Sequence, residues 1–236
     1  MNTSEPTISV GIVSALQIKF YLNGFFTDNN KNSFTGTQVA EFQNDKILFR
    51  GNLYNELTLL PDSNDNSFDL FDVVIGIGFH WERKEKQRFK GVLKLIVESE
   101  QLTAINIIGV EDYLMSVISS EMSATASEEL LKAHAVISRS WLLKPIMNDN
   151  RRQTKDNRQL TTDFTVVGTQ LSGHRIKWYE RDAHTNFDVC ADDHCQRYQG
   201  ITRATTEAVK KAIAETRGEV LMYDNEICDA RFSKSC

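Results

Sequence analysis

Several function classes lose their support from what this sequence lacks. It has no excess of positive charge: 27 Lys and Arg stand against 32 Asp and Glu, a formal net charge of −5. No basic stripe is interleaved with aromatics, so nothing points to a nucleic-acid partner. No apolar run approaches the roughly 20 residues that a transmembrane helix needs. The polar start, Met1 to Thr7, and the short run Ile8 to Ala15 without a basic n-region do not make a secretory leader. Strand–helix–strand repeats are missing, which leaves a doubly wound sheet without support, and no repeat of about 20–50 residues is visible.

What remains is an ordinary globular composition, 41% hydrophobic and 25% charged over 236 residues, enough for one large domain or two small ones. Ile, Val and Phe crowd residues 8 to 26, with an Asn23-Gly24 turn signal that predicts two strands. Lys46 to Phe49 and Leu57 to Leu60 read as further strands, and PDSNDNS at 61 to 67 as a loop. An apolar run, Phe71 to Phe79, follows and ends near Trp81. Phe89 to Val97 and Leu102 to Ile108 form a hairpin that feeds a helix beginning near Val110. The expectation is an α+β protein, with a β-rich lobe over 1–87 packed on a helical lobe over 88–236 and a cleft between them.

That helix is the centre of the functional reading. Val110, Leu114, Val117 and Ile118 fall at i, i+4, i+7 and i+8, the spacing of one buried face. Glu121 continues the stripe. Desolvation favours the protonated form of a carboxyl group, and a protonated carboxyl can act as a general acid. A solvated surface residue or an arginine partner is the plainer alternative.

A second helix opens on the capping-box spacing of Thr125 and Glu128 and is expected to stop at Pro145. On it His134 lies beside an apolar face and reads as a structural histidine. Arg139 reads either as half of a salt bridge or as a binder of sugar hydroxyls. The polar stretch from Asn148 to Gln159 reads as a loop.

Further on, His184, Cys190, His194 and Cys195 cluster closely enough to converge on a tetrahedral zinc. A Cys190–Cys195 disulfide, a thiol nucleophile activated by His194 and plain thiols compete with that reading. Trp178, Tyr179 and Tyr198 flank the cluster, where aromatic rings could stack on sugars or simply fill a core. A short helix from Thr206 to Thr216, closed by Gly218, precedes a hairpin around Asp224-Asn225.

The run Val110-Glu111-Asp112-Tyr113-Leu114, then Ser120-Glu121-Met122, then Leu131 to Val136 with Arg139, resembles the SpoIID/LytB family of peptidoglycan-acting proteins. Asp188-Val189-Cys190 and His194-Cys195-Gln196 continue the resemblance. It implies a lytic transglycosylase that breaks the bond between N-acetylmuramic acid and N-acetylglucosamine, with Glu121 as catalytic acid/base. Arg139, Gln196 and Tyr198 are then the expected substrate-binding residues. Some members bind zinc in this region, so His184, Cys190, His194 and Cys195 are expected to hold a structural zinc ion.

The family also implies a place in the cell envelope, although no leader is read here, and a link to sporulation. Its pattern continues beyond Phe232-Ser233-Lys234-Ser235-Cys236 into a Gly-rich segment that this chain does not carry, so the domain is expected to be C-terminally truncated. Two other classes stand beside the enzyme: a non-catalytic enhancer that binds the cell wall or an amidase, and a zinc hydrolase.

Overall fold

A computed structural model describes residues 5–78, 80–123, 125–148, 184–192, 194–203 and 205–231. Six strands come first: β1 (Thr7–Ala15), β2 (Gln17–Thr27), β3 (Ser33–Gln43), β4 (Lys46–Phe49), β5 (Asn52–Tyr54) and β6 (Glu56–Pro61). Then come β7 (Ser67–Ile75), β8 (Arg83–Lys90), β9 (Val92–Glu98) and β10 (Gln101–Gly109). Helices α1 (Val110–Glu121) and α2 (Glu128–Asn148) follow, then β11 (Val189–Cys190), α3 (Glu207–Glu215), β12 (Met222–Tyr223) and β13 (Glu226–Ile227). The protein is α+β and rich in strand. Residues 149–183, with Trp178, Tyr179 and most of the predicted polar loop, lie outside the described residues.

Period-two alternation builds the sheet. In β2, Ile18, Phe20 and Leu22 are buried while Lys19 and Tyr21 face out. Asn23-Gly24 does not turn the chain as predicted. β2 runs through it, and its register against β3 shifts between Leu22 and Phe26, a bulge that returns Phe26 to the buried face opposite Phe34. Gly24 has φ +103°, and a Cβ there would lie 2.3 Å from the Asn66 side chain, so this bulge requires glycine.

One path of hydrogen-bonded strands runs β11-β1-β10-β9-β6-β2-β3-β4-β5, with β7 joining β2 to β8. The division expected at 87/88 falls inside β8, and β1 and β6 pair with β10 and β9 on its other side. A single cluster of buried apolar side chains takes Phe20 and Phe68 from one part and Leu93, Leu114 and Ile213 from the other. The N-terminal strands therefore have no separate core among the described residues.

α1 begins where β10 ends and buries the predicted face, Val110, Leu114, Val117 and Ile118, together with Tyr113. In α2 the cap is Ser127, whose hydroxyl accepts from the Leu130 N–H at 3.3 Å, in place of the predicted Thr125. Nor does Pro145 end this helix, which continues to Asn148. Proline at 145 forfeits the hydrogen bond to the Trp141 carbonyl and crowds it, yet the helix runs on for three more residues.

Candidate active site and metal-ligand cluster

Glu121 is the last residue of α1, and its position depends on two neighbours. Its Oε1 accepts from the backbone N–H of Arg197 at 3.0 Å. Its Oε2 lies 3.1 Å from Nε2 of the buried His134 on α2. The side chain is 26% exposed, so polar contacts at the rim of the core hold it, not the apolar burial that the stripe predicts. His134, read from sequence as a structural histidine, touches this carboxylate. Periodicity on α2 could place His134 on an inward face but not say which residue of α1 it would meet. The Arg197 amide is equally invisible to sequence, because every residue but proline carries one.

A space of about 590 Å³ adjoins the end of α1. Ser119 and Ser120 line it, as do Trp81 and Arg83 near the start of β8, and Arg197 and Arg203 in the segment after β11. A second space, of about 310 Å³, lies between β1, β7 and the His/Cys segment, with Gln87 and Tyr198 in its wall. Both amide atoms of Gln87, which is 1% exposed, lack a hydrogen-bond partner. No sequence motif flagged Trp81, Arg83, Gln87 or Arg203 for this role.

The predicted substrate-binding residues take other positions. Arg139 is 1% exposed, with Nε and Nη2 on the two oxygens of Glu111 at 3.0 and 2.6 Å and Nη1 on the Glu219 carbonyl at 2.9 Å. Of the two readings of Arg139, this is the salt bridge. Tyr198 is buried between the rings of Phe89 and Tyr113, and its hydroxyl donates to Asn106 Oδ1 at 2.6 Å. Burial, and after it the charge of Asp112, push that hydroxyl well above the ordinary tyrosine range. Its position is therefore that of a core aromatic whose ring also borders the smaller space. Gln196 is buried beside them in sequence, and its amide atoms have no hydrogen-bond partner.

The four predicted metal ligands do converge. β11 lies parallel to β1, with Val10 opposite Val189 and Gly11 opposite Cys190, and this pairing presents the Cys190 to Cys195 loop. A Cβ at Gly11 would lie 2.6 Å from the Phe187 ring, so only glycine lets the segment approach. Phe187 in turn stacks on His184, with ring centroids 4.6 Å apart.

The ligand atoms of His184, Cys190, His194 and Cys195 all lie within 4.8 Å of one another. Cys195 Sγ is 3.4 Å from His184 Nε2 and 3.6 Å from His194 Nδ1, and Cys190 Sγ is 3.9 Å from His194 Nδ1. Metal bonds of about 2.3 Å to sulfur and 2.0–2.1 Å to nitrogen place tetrahedral S and N ligands about 3.6 Å apart, so the donor set fits zinc in both type and spacing. A hydrogen bond from Cys195 is the largest influence on the Cys190 thiol. With help from Asp192, His194 and His184 it outweighs burial and lowers the thiol to about 4, toward the thiolate that binds metals. No S–S bond joins the two cysteines.

A family model described as "SpoIID: Stage II sporulation protein" matches residues 98–223, from the end of β9 through β12. The chain belongs to the SpoIID family. Glu121 and all four His/Cys donors lie within the matched region. Stage II sporulation protein D of Bacillus amyloliquefaciens is 25% identical over 130 residues, covering 55% of this chain and 32% of that protein. Its counterpart in Bacillus subtilis (strain 168) is 24% identical over 129 residues, with the same shares. The match thus spans about a third of the length of these curated SpoIID proteins. No solved structure matches the chain.

Proposed function

We propose that this SpoIID protein is a lytic transglycosylase of peptidoglycan glycan strands, acting in the cell envelope, with Glu121 as its general acid and base. The observation that carries the reading is the position of Glu121. A carboxylate is fixed at a helix end by a backbone N–H and an imidazole, and the preceding residue, Ser120, lines a space of about 590 Å³. Pockets of about 300–1,000 Å³ are the usual size for small ligands.

In the first half of the reaction Glu121 gives its proton to the glycosidic oxygen as the bond from C1 of the muramyl residue breaks. In the second half the Glu121 carboxylate takes the proton of that residue's own C6 hydroxyl as the oxygen attacks C1. A 1,6-anhydro ring closes and no water is consumed. One group serves both halves, unlike the carboxylate pair of hydrolytic glycosidases. Glu111, on the same helix, is closed on Arg139 and is not available as a partner.

His184, Cys190, His194 and Cys195 are proposed to hold a structural zinc ion. Four protein donors complete a tetrahedron and leave no position for a reactive water, which argues against a zinc hydrolase. The zinc would supply folding energy and brace the loop that carries Arg197 to Glu121. Mass spectrometry of purified glycan strands after incubation with the protein tests the reading. Products ending in 1,6-anhydro-muramyl residues are expected. Reducing ends that have taken up water would instead show hydrolysis, and unchanged strands would move the protein to the enhancer class.

A further inference from the structure

We propose that the smaller space, which Gln87 lines, is a subsite for an N-acetylated sugar residue, with the Gln87 amide recognising the 2-acetamido group. This inference rests on the reading of the substrate as a peptidoglycan glycan, whose two sugars both carry that group. It adds where the group is recognised and by which side chain. The space measures about 310 Å³, at the lower end of the range for small-ligand sites.

The period of the strand puts Gln87 in this wall. In β8 Lys86 and Arg88 are exposed while Gln87 and Phe89 are buried, so an amide is turned to the same side as an aromatic ring. The register of β7 against β8 shifts between Leu70, which lies opposite Gln87, and Val73. Such a bulge interrupts the regular ladder and is common beside functional sites. Val73, Val74 and Ile75, just past the shift, line the space. Gln87 lines it too, 1% exposed and with neither amide atom hydrogen-bonded. A buried amide in that state is destabilising, and a ligand that completes its hydrogen bonds removes the penalty.

The rest of the lining narrows what that ligand is. Ile12, Val73, Val74, Ile75, Ile77 and Ala191 give it a largely apolar surface. An ion would shed its water against these side chains, and an anion would also share the lining with Asp192. A sugar hydroxyl satisfies the amide but leaves the apolar surface unused. An acetamido group matches both. Its methyl rests on the apolar side chains, while its carbonyl accepts from the Gln87 amide or its N–H donates to the Gln87 oxygen. Ile75, Ala191 and Asp192 line both this space and the larger one that Ser120 borders, so the two are neighbours and one glycan can occupy both. Gln87 precedes residue 98, so this recognition comes from outside the family match.

Two β-1,4-linked tetrasaccharides test the subsite, one of N-acetylglucosamine and one of glucose. They differ only in carrying acetamido or hydroxyl groups at C2. Calorimetric titration of the Glu121→Gln protein reads binding without turnover. The acetamido form is expected to bind about tenfold more tightly or better, the scale of a hydrogen bond to a buried amide together with a buried methyl group. Gln87→Met, added to Glu121→Gln, keeps the length of the side chain but neither hydrogen-bonding atom. It should reduce the difference to about threefold or less, by weakening the acetamido form. Gln87→Leu should do the same.

Equal binding of the two sugars by the Glu121→Gln protein, or binding of neither, overturns the subsite whatever the Gln87 variants do. A preference that survives both replacements also overturns it, because the acetamido group is then recognised elsewhere and Gln87 is a structural amide. Each replacement removes a buried amide that has no partner, so the protein should melt no lower, and melting curves separate lost recognition from unfolding. The test also stands apart from that of catalysis. A protein that forms no anhydro sugar yet prefers the acetamido form through Gln87 keeps the subsite and loses the transglycosylase reading. One that forms anhydro sugar without that preference does the reverse.

Discussion

Two glutamates on one helix have opposite surroundings, and the contrast separates a structural carboxylate from the proposed acid. Glu111 is 6% exposed and fully engaged by Arg139, whereas the Glu121 side chain is 26% exposed and follows Ser120, which lines the space of about 590 Å³. Replacing Glu121 by Gln keeps the size and the contact with Arg197 N–H but removes the transferable proton. Anhydro-sugar formation should fall by about a hundredfold or more, the usual scale of general acid–base catalysis, with melting shifted by no more than a degree or two. A Gln variant that stays active would identify an enhancer.

His134 is expected to position Glu121. His134→Gln retains a donor of similar reach, so it should keep most of the activity, while His134→Leu should lose about tenfold or more through kcat. Glu111→Ala acts differently, because it strands the Arg139 charge in the interior. The expected cost is about 3–5 kcal/mol in denaturant unfolding, with the fraction that remains folded still active. Glu121 was legible in the sequence because a short motif surrounds it. The partners of Glu121 and Arg139 were not, because they come from elements distant along the chain.

At the scale of elements, local signals succeeded where one residue type dictates geometry and failed where neighbours overrule it. The helix predicted from Thr206 forms, with Thr206 capping it by accepting from the Val209 N–H at 3.2 Å, and Asp224 and Asn225 turn the predicted last hairpin with φ of 49° and 61°. Asn23-Gly24 carries the same turn chemistry, yet Asn66 packs against it and the strand continues through a bulge. The His/Cys segment lies between these cases: spacing identified the four donors, but their convergence depends on pairing with β1, which no spacing shows. Cys190→Ser should therefore lose bound zinc and stability together. Elemental analysis and melting with and without chelator would check this. Protein purified under reducing conditions that contains no zinc and melts identically with chelator would sink the zinc proposal.

For the whole molecule, the sequence divides more readily than the fold does. The change from strands to helices along the chain suggested two lobes, but that change is a matter of order, and the lateral pairing of strands cannot be read from it. β1 pairs with β10, which runs directly into α1, and on its other side β1 pairs with β11 at the start of the His/Cys loop. The N-terminal strands thus support both Glu121 and the His/Cys cluster, although the family match begins only at residue 98. Loosening the N-terminal part should then release the site as well. The protein is expected to unfold in a single transition, with calorimetric and van't Hoff enthalpies equal. Phe20→Ala provides the sharper version of the test. Phe20 is 0% exposed, outside the matched region, and stacked near Phe49 with ring centroids 6.1 Å apart. Its truncation leaves a cavity worth about 3–5 kcal/mol. Fluorescence from a probe on Lys46 of β4 and from one on Lys211 of α3, measured separately, should report the same lowered midpoint in this variant. A midpoint that falls for the strands while the α3 probe keeps its own would show two independent units.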